Sequence, residues 1–262
     1  MIIGSTAPDI NPTPASNGRI AFTSRRSGSE EIWIAGRDGS QPIRVSDRKL
    51  GIESLSWSPD GRRLILQASW NGIPALLAMD CDAQEPRCGT PNPIAADGIE
   101  RELPSWSPDG RFIYFVAQAG KGRQVFRMPA SGGGAVQVTR GEPVTAGRPS
   151  GDGKWLYIQR LSPSSIWRMP IDGDGNEELV VGPPDRPSLH WTVAGHEIVF
   201  WDTGGADRPS AIKAFDTRTK RMRTIIETAT GYTPAVSSDG RTLYFGRADR
   251  SGGNIMVAKW SR

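Results

Sequence analysis

The chain has 262 residues, 37% of them hydrophobic, with 32 Lys and Arg set against 28 Asp and Glu. A sizeable core is therefore within reach, while a net charge of +4, scattered and interleaved with acids, is too dilute to mark a nucleic-acid surface. No apolar run approaches the roughly 20 residues of a membrane-spanning helix, and no signal peptide or targeting segment is visible, which leaves a further upstream leader or domain open.

In chain order, residues 1–6 come first and have no place in a repeating unit. A turn ending at Gly18 then feeds Ile20-Ala21-Phe22, followed by Ile32-Trp33-Ile34, the turn Arg37-Asp38-Gly39-Ser40 and the more polar Ile43-Arg44-Val45. The pattern recurs. Trp57-Ser58-Pro59-Asp60-Gly61 precedes Leu64-Ile65-Leu66 and Leu76-Leu77-Ala78-Met79. Trp106-Ser107-Pro108-Asp109-Gly110 precedes Ile113-Tyr114-Phe115, Val125-Phe126-Arg127-Met128 and Val136-Gln137-Val138. Weaker copies of the turn end at Gly153, Gly195 and Gly240, before Leu156-Tyr157-Ile158, Ile198-Val199-Phe200 and Leu243-Tyr244-Phe245. Third strands follow at Ile166-Trp167-Arg168-Met169, Ile212-Lys213-Ala214-Phe215 and Ile255-Met256-Val257-Ala258.

Successive turns lie 42 to 49 residues apart, a period that belongs to stacked or radial arrays. In Ser-Pro-Asp-Gly the proline sets φ, the aspartate bonds its local backbone and the glycine takes a left-handed conformation. The turn is thus a reversal between antiparallel strands. The near-continuous apolar runs suit strands covered on both faces. Four antiparallel strands per unit, the last most polar, describe propeller blades whose outer edges face water. No stretch keeps a helical period. The expected fold is all-β: a single six-bladed β-propeller over residues 1–262, with blade turns near Gly18, Gly61, Gly110, Gly153, Gly195 and Gly240. Its sixth unit lacks a fourth strand, which residues 1–6 are expected to supply, closing the last blade with the N-terminal strand.

Cys81 and Cys88 flank a hairpin insertion found in the second unit alone. A bridge between them would close a short loop and place the chain in an oxidising compartment. Two independent thiols would leave a cytoplasmic location open. The expectation is the disulfide, and with it a periplasmic or extracytoplasmic setting. Two cysteines without a nearby histidine do not make a zinc site.

Chemistry-bearing motifs are sparse. There are two histidines, His190 and His196, and no G-x-S-x-G elbow. Ser46-Asp47-Arg48-Lys49 spells S-x-x-K in a loop after a strand, where chance accounts for it. Asp172-Gly173-Asp174-Gly175 resembles part of a calcium loop, but it lacks the twelve-residue spacing and reads as turn chemistry. No catalytic residue, metal or cofactor is expected.

Topology supplies the binding candidates. In propellers, ligands meet the face opposite the glycine turns, built from the loops before each inner strand and the hairpins joining strands two and three. Counting back four residues from the motif tryptophans gives Glu53 and Glu102, and from the equivalent place in the sixth unit Tyr232. Arg148 and His190 precede the tryptophan-equivalent position and are expected to line the channel. Trp70 and Trp201 lie near strand-two exits. These seven residues form the expected polar and aromatic site, although for Glu53 and Glu102 the first expectation is capping of neighbouring backbone or pairing with Arg101 and similar residues. Trp57, Trp106 and Trp191 share one repeat position and are expected to pack in the core.

The W-S-P-D-G turns, the I-W-R-M strand and turns such as Pro129-Ala130-Ser131-Gly132-Gly133 resemble TolB-type, WD-like β-propeller repeats over essentially the whole chain. The likeness extends to six-bladed modules that lie C-terminal to winged-helix or kinase domains in bacterial regulators. The resemblance implies a monomeric, non-enzymatic scaffold that binds a protein or peptide partner on its loop-rich face, or the sensor module of a regulator. A small ligand in the central channel is a further partner left open. The alternative is a lyase or hydrolase acting on a carbohydrate or small ligand at the channel mouth, with His190 as base and Glu53 or Glu102 as acid or metal ligand.

Overall fold

The structure, a computed structural model, describes residues 2–3, 9–47, 50–82, 85–173, 175–227, 232–249 and 252–259. They form an all-β, six-bladed propeller of four-stranded antiparallel sheets. Strand β1 (Ile2–Ile3) comes first. Blade one is β2 (Asp9–Pro14), β3 (Ile20–Ser24), β4 (Glu31–Ala35) and β5 (Ile43–Arg44). Blade two is β6 (Ser54–Trp57), β7 (Arg63–Trp70), β8 (Ile73–Asp80) and β9 (Asn92–Ala95). Blade three is β10 (Glu102–Trp106), β11 (Phe112–Ala119), β12 (Gly122–Pro129) and β13 (Val136–Gln137). Blade four is β14 (Ala146–Pro149), β15 (Trp155–Leu161), β16 (Ser164–Pro170) and β17 (Glu178–Val181). Blade five is β18 (Pro187–Ala194), β19 (Glu197–Asp202), β20 (Ala211–Asp216) and β21 (Arg221–Glu227), and blade six contributes β22 (Tyr232–Val236), β23 (Thr242–Asp249) and β24 (Gly252–Lys259).

The repeated turn owes its shape to one set of bonds. In blade three, Ser107 Oγ donates to Asp109 Oδ1 at 2.6 Å and accepts from the Phe112 N–H at 2.9 Å, while the Arg111 N–H donates to Asp109 Oδ1 at 3.0 Å. Blades two, four and six repeat this pattern through Ser58 and Asp60, Ser150 and Asp152, and Ser237 and Asp239. Blade four lacks the proline yet keeps the geometry, because serine and aspartate carry the bonds. Blade one substitutes Asn17, whose side chain accepts from the Arg19 N–H. Blade five departs furthest, pairing Ala194 with Glu197 in a tight hairpin.

The last blade closes as the sequence predicts. Strand β1 pairs with β24, Ile2 opposite Met256 and Ile3 opposite Ile255. The remainder of residues 1–6 lies outside the described residues. Ile3 is buried among Ile20, Phe22 and Ala35 of blade one and Ala235, Tyr244 and Ile255 of blade six.

Backbone proximity separates the chain into two compact units, Met1–Ile99 with Gly231–Arg262, and Glu100–Thr230. In the first, blades one and two share a core built from Ile32, Ile34, Leu64, Leu66, Leu77 and Met79. In the second, Tyr114, Val125, Ile158 and Met169 join blades three and four, and Tyr157, Ile166, Trp191 and Phe200 join blades four and five. Trp57 and Trp191 are buried, as the repeat position predicts, whereas Trp106 is half-buried. Ser46 clasps the third and fourth strands of blade one: it accepts from the Ile32 N–H at 2.8 Å and donates to buried Glu31 at 2.5 Å. That placement accounts for the serine without nucleophilic chemistry; Lys49 lies outside the described residues.

The insertion in blade two carries the predicted disulfide, with Cys81 and Cys88 bonded at 2.04 Å. Arg19 of blade one reaches into the closed loop and donates to the carbonyls of Asp82, at 2.8 Å, and Glu85.

Candidate functional site

Three of the seven expected site residues fall on the first unit and four on the second. In the first, Glu53 is exposed but engaged: Gln67 Nε2 donates to its carboxylate, and its carbonyl accepts from Asn11 Nδ2 at 3.2 Å. Trp70 is half-buried against the core shared by blades one and two. The backbone of Tyr232 lies in β22, and its side chain is outside the described residues.

In the second unit, Glu102 pairs with Arg123. Both glutamates therefore have partners within their own blades, as the structural alternative held. The Arg123 and Gln67 partnerships were illegible in sequence because they join residues on different strands. Leu103, next to Glu102, has φ of +50° where β10 shifts register against β11, a bulge that bends the strand locally.

Arg148, His190 and Trp201 come together. The Arg148 guanidinium lies over the Trp191 ring, 5.3 Å from its centroid, a stabilising cation–π arrangement. The His190 and Trp201 rings are 6.4 Å apart. Trp191 is pinned by Gln159, which accepts from the indole at 2.9 Å and donates to the carbonyls of Pro187 and Ser188. Burial, then the positive charge of Arg148, hold the His190 imidazole below its usual pKa. At neutral pH it is uncharged. Burial also brings Arg148 down to about 10, so it stays cationic.

Behind Trp201 sits a network that sequence reasoning missed. The fully buried carboxylate of Asp202 accepts from Arg208 at 2.6 Å, Lys213 at 2.7 Å, and the N–H groups of Arg186 and Gly204 at 3.1 and 3.2 Å. Lys213 also binds Asp185 at 2.6 Å. Burial opposes the charge on Asp202, but the bonds from Lys213, Gly204 and Arg186 outweigh it and hold its carboxyl below the usual carboxylate range. The network ties the loop before β18 to the loop between β19 and β20, the two loops of blade five on the expected ligand face. Gly204 is needed here: at φ of +70°, a Cβ would sit 2.6 Å from the Arg208 carbonyl oxygen.

Two leucines also escaped the sequence reading. Leu161, where β15 meets its hairpin, is 50% exposed, and Leu189, in the irregular stretch of β18, is 40% exposed. An apolar residue in a strand pattern reads as core until the register shift between Pro187 and Trp191 turns it outward.

On the opposite, turn-bearing face, a groove of about 480 Å³ between blades three and four is lined by Asp109, Arg111, Phe112, Arg127 and Asp152 among others. Asp109 and Asp152 are already committed to their turns. His196 also belongs to this side and pairs with Asp216 at 3.3 Å. Among the described residues, no group of three His, Cys, Asp or Glu is placed to hold a metal ion, and Asp174 of the calcium-like turn lies outside them. No helix among them is long and apolar enough to cross a membrane.

A family profile for the TolB beta propeller domain matches residues 1–165, and with the six repeated blades this shows that the chain belongs to the TolB β-propeller family. The crystal structure of TolB from Acinetobacter baumannii superposes with a TM-score of 0.78 at 21% identity, covering 92% of this chain and 61% of that one. An uncharacterised protein of Agrobacterium fabrum is 24% identical over 203 residues, 60% of this chain and 69% of its own length. The Tol-Pal system protein TolB of Anaeromyxobacter dehalogenans is 33% identical over 122 residues, 46% of this chain and 26% of its own length. The chain thus spans about a quarter of that curated TolB.

Proposed function

We propose that this propeller is a binding module that meets a protein or peptide partner with the loop face of blades four and five. One observation carries the reading: Leu161 and Leu189 are exposed in the same unit as half-buried Trp201 and His190 and the cationic Arg148. Aromatic residues and arginine are what interface hot spots favour, and exposed leucines offer apolar area that a partner would take out of water. The Asp202 network supports it further, because loops fixed before binding lose less entropy when a partner arrives. Relatives named for the Tol-Pal system fit a protein partner. The disulfide supports an extracytoplasmic setting.

Photo-crosslinking in the native host tests the face. A photoreactive residue at position 161 or 189 is expected to give a discrete protein adduct, lost when Trp201→Ala is added. The same probe at Val136, 60% exposed on the outer strand β13, should give none. Equal labelling at 136, or no adduct at 161 and 189, overturns the reading. Glu53→Ala and Glu102→Ala should weaken the adduct less than Arg148→Ala, since both glutamates are internally paired.

A further inference from the structure

Several arginines of this protein lie over aromatic rings, and their company differs. Arg26, over Phe22 and Trp33, pairs with Asp9 at 2.6 Å. Arg160, over Trp167, pairs with Glu177 at 2.5 Å. Arg168, over Trp155, pairs with Glu178, also at 2.5 Å. Arg148 shares the pose over Trp191, but among the described residues no carboxylate and no hydrogen bond meets its guanidinium, and its Nε is buried without a partner.

Arg148 is half-buried with its Nε out of reach of solvent, and a partly desolvated cation without a counter-charge is costly to the free protein. Removing one partner of such a pair leaves that same cost behind, so a site of this kind is completed when the missing anion arrives. The neighbouring groups leave room for one. His190 is uncharged at neutral pH, held so by burial and then by Arg148 itself. The carboxylate of Asp202, beyond Trp201, is already satisfied by Lys213 and Arg208. Trp191 fixes one face of the guanidinium, and its planar fork suits a carboxylate bound through two parallel hydrogen bonds.

We propose that Arg148, held by Trp191 and flanked by His190, is the receptor for a carboxylate, brought by an acidic side chain or the C-terminus of the partner. This rests on the reading that blades four and five form the contact surface. Binding reverses the field at His190: the imidazole then stands beside a neutralised guanidinium and a carboxylate and protonates more readily. Its titration therefore reports occupancy without any need to know the partner.

The test is proton NMR of the two imidazoles, assigned with His196→Gln, at fixed ionic strength. Sodium acetate and capped aspartate (N-acetyl-aspartate amide) serve as probes. The expected result is a rise of about half a pH unit in the His190 midpoint with each probe, a roughly threefold linkage, while His196 stays still. In Arg148→Gln the His190 midpoint should rise without any probe and then no longer respond; Arg148→Lys, which keeps the charge, should retain part of the response. A His190 midpoint unmoved by either probe in the unsubstituted protein overturns the proposal, as does an equal response in Arg148→Gln. Response to acetate alone overturns the partner side chain as the source and leaves a small free carboxylate. Adducts at positions 161 and 189 with a silent His190 would remove this inference and leave the binding face standing.

Discussion

The closing strand gives the sharpest quantitative test, because two side-chain positions meet there with defined geometry. Ile3 is 2% exposed, and a Cβ added at Gly39 would lie 2.4 Å from Ile3 Cγ1. Ile3→Ala removes three carbons from this site. At about 0.8 kcal/mol per methylene the transfer loss alone is about 2.4 kcal/mol, and with the cavity the cost should fall between about 2 and 5 kcal/mol. Gly39→Ala carries two penalties: a side chain at φ of +79°, roughly 1–2 kcal/mol, and the collision with Ile3, roughly 1–3 kcal/mol. The second vanishes once Ile3 is alanine. Urea denaturation of the two single variants and the double variant should therefore show a coupling of about 1–3 kcal/mol, the double costing less than the sum. Additive costs, or an Ile3→Ala variant within about 0.5 kcal/mol of the parent, would show that β1 is not seated against blade one and would refute the closure.

Two further outcomes follow from the charge networks. Asp202→Asn leaves Lys213 and Arg208 in place with half their counter-charge gone, and should cost about 3–5 kcal/mol in urea denaturation; Arg25→Ala, which breaks an exposed pair with Glu30, should cost under about 1 kcal/mol. In the turns, the hydrogen bond from Ser107, then the Arg111 N–H, holds Asp109 down to about 2, and Ser237 does the same for Asp239, also at about 2. Because these folded-state values lie below the unfolded one of about 3.9, their stabilisation is complete above pH 4 and is lost as pH falls toward 2. In Ser107→Ala, carboxyl NMR should find Asp109 titrating closer to an ordinary aspartate, with a shallower loss of stability across that window; an unmoved midpoint would show that the serine does not hold the charge.

The sequence by itself determined the blade. Its turn bonds run between residues two to five apart, as from Ser107 to Asp109 and Phe112, so the residue order alone specifies them, and the apolar runs after each turn specify the strands. The missing fourth strand of the sixth unit pointed to the N-terminal segment, which pairs with β24, and two cysteines seven residues apart could reach each other within one hairpin. What the tertiary structure alone decided is which side chains remain unsatisfied or uncovered. That Glu53 and Glu102 would be engaged could be expected from the sequence, but not that Gln67 and Arg123 are the partners. Leu161 and Leu189 carry no mark of exposure in the sequence, and they are exposed. The repeat position marks Arg148 as a candidate for the channel, but only the fold decides that its Nε is buried without a hydrogen-bond partner. Charge compensation and exposure depend on where separate strands and blades bring side chains to rest. A local pattern carries no record of those distances, so the scaffold was legible and the character of its surface was not.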